Sequence, residues 1–236
     1  PILASVLFEL GGITLPFFCL TAVLLAVVPF VLRVAVPGSE APLEKPMRAL
    51  LKRPAMQSCI ALGVAFYLAV GAFDALWALF ISDLGASQLY IGVTLSLFTL
   101  PMILVAPFAG RYASQHNLLR LLTKSLGLAV IMITSYAFID SIWWICLPLI
   151  IHAIADAVSM PATQLAVGKA SGEAALAAGQ GLFGAVGLIV AAVASLGGGY
   201  LYQTAGAASV WITVASAMIV CLAFAYWRGR GVLEST

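Results

Sequence analysis

Charge is scarce in this sequence. Only 8% of its 236 residues are Asp, Glu, Lys or Arg, against 63% hydrophobic. Soluble domains carry about 25% charged residues, so the chain has too little polar surface to stay in water. Its eleven basic and nine acidic residues leave a formal charge of +2, with no basic patch of the kind that holds nucleic acid. Paired cysteines are also lacking. Cys19, Cys59, Cys146 and Cys221 stand singly in apolar stretches, which excludes a CxxC motif and a disulfide framework and leaves each as a small hydrophobe. There is no clustered His, no HExxH pattern and no P-loop, so neither a metal nor a nucleotide is expected. Gly179, Gly181 and Gly184 do fit GxGxxG. That motif needs a preceding strand, a βαβ unit and a later acidic residue, none of which is present, so no cofactor is expected. Alternating segments of about ten residues are absent, which argues against an outer-membrane barrel.

What the chain does have is long apolar stretches. A hydrocarbon core of about 30 Å takes about 20 residues of helix to cross. Pro1 to Leu10 is too short to span and reads as the end of a helix, turned by Gly11 and Gly12. It begins without the charged region of a signal peptide, and the chain looks truncated at its N-terminus. Ile13 to Val36 then crosses back. Pro37 to Pro54 holds four prolines and much charge, and reads as a linker. Six further spans are expected: Ala55–Ser82, Leu89–Phe108, Leu118–Ile139, Ile142–Gly168, Ala174–Tyr202 and Ser209–Trp227. They show no single amphipathic stripe, which suits helices that meet lipid or one another on most sides.

Every basic residue can face one side of this zigzag. Arg33, Lys45, Arg48, Lys52 and Arg53 surround one connection, Arg111, Arg120 and Lys124 mark a second, Lys169 a third, and Arg228 and Arg230 the tail. Turns at the other ends carry only Glu9, Asp83, Asp140 or no charge. Cytoplasmic loops collect Lys and Arg. The linker and C-terminus are therefore expected in the cytoplasm, and the protein in the inner cell membrane as a multi-pass chain.

Six helices after a long basic linker resemble the second half of a major facilitator superfamily transporter. Pro101-Met-Ile-Leu-Val-Ala-Pro107-Phe-Ala-Gly110-Arg111 is similar to that superfamily's loop signature between the second and third helices of each half, with Ser114, Gln115 and His116 where an Asp-Arg pair is usual. Pro1-Ile-Leu-Ala4-Ser5 followed by Leu15-Pro16-Phe17 is similar to the end of the fifth-helix signature of drug/proton antiporters and the start of helix six. The resemblance implies an all-α bundle of major facilitator type. Residues 1–36 would be the remnant of an N-terminal half, 37–54 the cytoplasmic linker, 55–228 the C-terminal six-helix half and 229–236 a cytoplasmic tail. Helices one to four and most of five would precede Pro1, making the N-terminal half of the same protein a partner.

Few ionisable residues fall mid-span, where each costs about 2.5 to 3.5 kcal/mol and faces a cavity or partner. They are Asp74, His152 and Asp156. Asp74 precedes Asp83 by nine residues and His152 follows Ile142 by ten, which places both at similar depth, about 13 to 15 Å in. His152 and Asp156, four apart, share a face, continued by Ser159 and Thr163 beside Pro161. Gly63, Tyr67, Gly71, Asp74 and Ala78 form a comparable face on the earlier helix. Such stripes fit either a water-filled path or a tight helix contact, and by the resemblance the two helices line the central cavity. Asp74 or Asp156 is a candidate proton or cation carrier and His152 a candidate relay. The bland alternative is a structural pair at His152 and Asp156, with Asp74 bonded to a neighbour's hydroxyl. Tyr67 and Gln164 are weaker candidates for substrate contact. Gly110 and Arg111 are expected in the conformational loop, and Gly181 and Gly184 at a helix interface, since small residues three or four apart let membrane helices approach.

The expected function is secondary transport of a small molecule by alternating access, with binding near the midplane. No Lys or Arg lies mid-span, which favours proton-coupled efflux of neutral or cationic compounds. A facilitator or symporter for a sugar or organic metabolite is the nearest rival. A membrane-embedded enzyme would need a nucleophile grouped with His152 and Asp156, and none stands there.

Overall fold

The computed structural model describes residues 2–33 and 46–231. Pro1, residues 34–36 of the expected second span, 37–45 of the linker and 232–236 of the tail lie outside the described residues. Among the described residues every regular element is helical. In order they are α1 (Ile2–Gly11), α2 (Thr14–Val31), α3 (Pro46–Leu51), α4 (Pro54–Asp83), α5 (Gln88–Gln115), α6 (Leu118–Tyr136), α7 (Cys146–Ser171) and α8 (Leu176–Gly229), with one 3-10 turn at Glu173–Ala175. Apolar segments adopt helix because hydrocarbon offers no partner for backbone N–H and C=O groups. Their starts are set locally. Pro54 sits in the first turn of α4, where its missing N–H costs nothing. Ser87 Oγ accepts from Tyr90 N at 3.2 Å, and Asn117 Oδ1 from Arg120 N at 2.9 Å, to cap α5 and α6.

α6 ends at Tyr136 rather than Ile139 and α7 runs from Cys146 to Ser171 rather than from Ile142 to Gly168, and two further boundaries differ more. The span expected to end at Phe108 continues through Pro107 to Gln115. Proline is tolerated within a membrane helix because neighbouring groups satisfy the carbonyl it frees. Gly110 and Arg111 consequently lie on the last turns of α5 rather than in a loop. The last two expected spans form one helical run, α8, interrupted only at Gly206, whose φ of 81° and ψ of 171° are not helical. That break reverses the chain. Val210 Cγ1 lies 3.6 Å from the position of a Cβ on Gly198, whereas twelve residues of straight helix extend about 18 Å. The two limbs, 176–205 and 207–229, are therefore antiparallel, and six passes stand as expected.

The passes alternate in direction, which sorts charge by end. The first limb of α8 runs parallel to α4, with Ser195 Oγ donating to Gly71 O at 2.8 Å and the Tyr202 hydroxyl to Asp83 Oδ2 at 2.6 Å. The second limb returns, with Ser58 Oγ donating to Ala225 O at 2.8 Å. At the basic end, Arg53 Nη1 donates to Ser171 O at 2.9 Å and Arg228 Nε to Gln57 Oε1 at 2.8 Å. At the other end Asp83, Asp140, Tyr202 and Gly206 line a cavity of about 300 Å³. The core between them is aromatic: Trp77, Trp211 and Tyr136 are its largest fully buried side chains. Outside the bundle, α1 lies on α5, where Ile2 N donates to Ser96 Oγ at 2.9 Å. α2 has no buried residue.

Candidate functional site

α7 carries the polar stripe, and the bundle folds it inward. His152 is 1% and Asp156 3% exposed, and one helical turn brings His152 Nε2 to 3.6 Å from Asp156 Oδ2. This is an ion-pair distance, longer than a hydrogen bond. On its other side, His152 Nδ1 lies 3.1 Å from the hydroxyl of Tyr136, at the end of α6. Further along, Ser159 Oγ donates to Ser125 Oγ at 2.8 Å and Thr163 Oγ1 to Ser159 O at 2.6 Å. Along this face α7 meets α6 through Tyr136 and Ser125.

Aromatic rings enclose the pair. Phe73 of α4 and Phe98 of α5 meet the imidazole edge-on, with centroids 6.0 and 5.3 Å away. Trp77 and Trp211 close on Tyr136 at 5.3 and 5.5 Å, and Trp77 Nε1 is tied to Thr94 Oγ1 at 3.0 Å. Among the described residues His152 Nε2 and Asp156 Oδ1 have no hydrogen-bond partner. An unpaired buried polar atom typically costs about 1 to 3 kcal/mol. Two proton arrangements fit the distances: Tyr136 donating to Nδ1 with the ring proton on Nε2, or Nδ1–H donating to Tyr136 with a protonated Asp156 facing Nε2. The arrangement can thus hold a proton at either end of the imidazole.

The other expected residues separate into two groups. Asp74 is exposed, although the ring of its neighbour Phe73 meets His152, so α4 and α7 approach here without enclosing Asp74. Gln164 and Arg111 are exposed too, with the Gln164 carbonyl accepting from Gln180 Nε2 at 3.0 Å. Gly110 faces Pro161, whose Cβ lies 3.7 Å from the position of a Cβ there. Tyr67 instead turns to α8, where its ring covers Gly187: a Cβ there would stand 2.7 Å from Tyr67 Cζ. Gly181 and Gly184 have open space around them, and close approaches fall instead at Gly63, Gly71, Gly92, Gly179, Gly187 and Gly229. Tyr136 was not foreseen, because an aromatic near a span end reads as an interface anchor. Counted from the expected span ends it stands far shallower than His152, so no signal in the sequence pairs the two.

A family model described as Major Facilitator Superfamily matches residues 59–235, which covers most of α4 and all of α5 to α8. The chain belongs to the Major Facilitator Superfamily. No curated protein matches the chain. As a superfamily member it is a multi-pass membrane protein of the secondary-transporter class, a class that moves small molecules across a bilayer rather than transforming them. The helical bundle is the one expected of that superfamily.

Proposed function

We propose that the chain supplies the C-terminal half of a proton-coupled exporter of neutral or cationic compounds, of the drug/proton antiporter kind. Residues 55–228 form that half, 37–54 its cytoplasmic linker and 229–236 its cytoplasmic tail, while 1–36 end an N-terminal half of the same protein. The buried pair His152 and Asp156 carries this reading. A carboxylate and an imidazole in a membrane core, each with an unpartnered atom, are costly unless they exchange something, and the distances leave room for a proton. Asp74, mid-span on α4 and exposed, is the carboxylate that meets cargo. Among the described residues no Lys or Arg accompanies it mid-span, so the cargo is neutral or positive.

The bare surface supports the same division of the molecule. α2 has no buried residue and Asp74, Gln164 and Gly181 are exposed, and the N-terminal half would face them across the substrate path. Gly181 and Gly184 would then serve the moving interface from their open side, and Tyr67 and Gln164 would flank the cargo. The test is efflux of ethidium, a lipophilic cation, from liposomes holding the complete transporter under an imposed pH gradient. Asp156→Asn and Asp74→Asn are each expected to lower gradient-driven flux at least about tenfold, a change of about 1.4 kcal/mol. Undiminished flux in both variants refutes proton coupling through these groups.

A further inference from the structure

A groove of about 580 Å³, lined by none of the His152 cluster, opens between the start of α4 and the end of the second limb of α8. Leu51, Ile60, Val64, Val220, Cys221 and Phe224 form its apolar walls. Gln57 stands at its head, where its Oε1 accepts from Arg228 Nε at 2.8 Å and Nη2 at 2.5 Å. The Arg228 guanidinium also lies 5.5 Å from the ring centre of Trp227, which in turn is 6.0 Å from Phe224. Over the described stretches 46–60 and 218–231, which frame this head, the charged residues are Arg48, Lys52, Arg53, Arg228 and Arg230, with no carboxylate among them. Arg53 is engaged by the α7 carbonyls, while Arg48, Lys52 and Arg230 are exposed.

An apolar slot whose head, over the described stretches 46–60 and 218–231, carries cations and no carboxylate matches one ligand chemistry, an acyl chain joined to an anionic headgroup. We propose that this groove binds an anionic phospholipid from the leaflet at the basic face. Its acyl chain lies along Ile60, Val64, Val220 and Phe224, and its phosphate lies among Arg228, Arg48 and Lys52. A cation near such a headgroup favours it about five- to tenfold, so two or three exposed cations predict a preference over neutral lipid of tenfold or more.

Quenching of Trp227 by brominated lipid tests this. The purified full chain is placed in phosphatidylcholine vesicles, and brominated phosphatidylglycerol or brominated phosphatidylcholine is titrated in. The Trp227 signal is the difference between the protein and Trp227→Phe. The expected relative binding constant favours phosphatidylglycerol by at least about tenfold, and falls at least about fivefold in Arg48→Ala/Lys52→Ala, which leaves the Gln57–Arg228 contact intact. A relative constant near one in the unaltered protein overturns the proposal, as does a preference unchanged in the double variant. No quenching by either lipid means that another part of the protein fills the groove, which overturns it as well.

Discussion

Replacing Tyr136 by Phe removes one oxygen and leaves the ring stack with Trp77 and Trp211 in place. His152 Nδ1 then loses its hydroxyl partner. In water-soluble cores an orphaned group costs about 1 to 3 kcal/mol, and polar contacts in membrane bundles average about 0.6 kcal/mol. Tyr136→Phe should therefore destabilise the bundle by about 0.6 to 2 kcal/mol in equilibrium unfolding by dodecyl sulfate. An unchanged midpoint would show that the hydroxyl does not hold the imidazole. At this scale the sequence is partly transparent. A spacing of four puts His152 and Asp156 on one face whatever else happens, because helix geometry alone decides it. Which way that face points is not local. Sequence makes Asp74 and Asp156 alike as mid-span carboxylates, yet packing buries one and exposes the other.

Between α4 and the first limb of α8 the helices touch backbone to backbone. A Cβ on Gly71 would stand 2.7 Å from Ala191 Cα, and neither chain can yield without parting the helices. The turn at Gly206 is set by conformation instead, since its φ of 81° and ψ of 171° fall in a region open essentially to glycine alone, at a cost of about 1 to 3 kcal/mol for other residues. Gly71→Ala and Gly206→Ala should each lower the thermal midpoint in detergent, while Gly184→Ala, with open space around it, should leave it within error. Equal midpoints for all three would remove glycine packing from the account of this interface. The sequence shows that α8 is rich in small residues but not which of them meet a neighbour. That depends on the rotation of α8 about its axis, which Tyr67 and Phe183 help to set through their ring contact at 5.9 Å. Helix length was similarly misjudged at α5, where Pro107 and the charge of Arg111 mimic an end that the backbone does not make.

For the whole molecule, the alternation of passes places Asn117 and Asp140 at opposite faces. In sealed cells, Asp140→Cys should react with a membrane-impermeant maleimide added outside and Asn117→Cys only after the cells are opened. Reaction of both from one side would refute the assigned orientation. The sequence by itself determined that the chain lives in a bilayer, how many times it crosses and which ends share a face. These follow from the free energy of moving apolar and charged groups into hydrocarbon, which acts residue by residue along the chain. The tertiary structure alone decided that His152 and Asp156 are enclosed by Phe73, Phe98 and Tyr136, that Asp74 looks outward, and that Arg228 and Gln57 meet at the head of an apolar groove. Each of these joins residues from different helices. Inside a membrane the helices have no hydrophobic drive to associate, so close packing and a few hydrogen bonds choose their rotation, and no single stretch of sequence contains that choice.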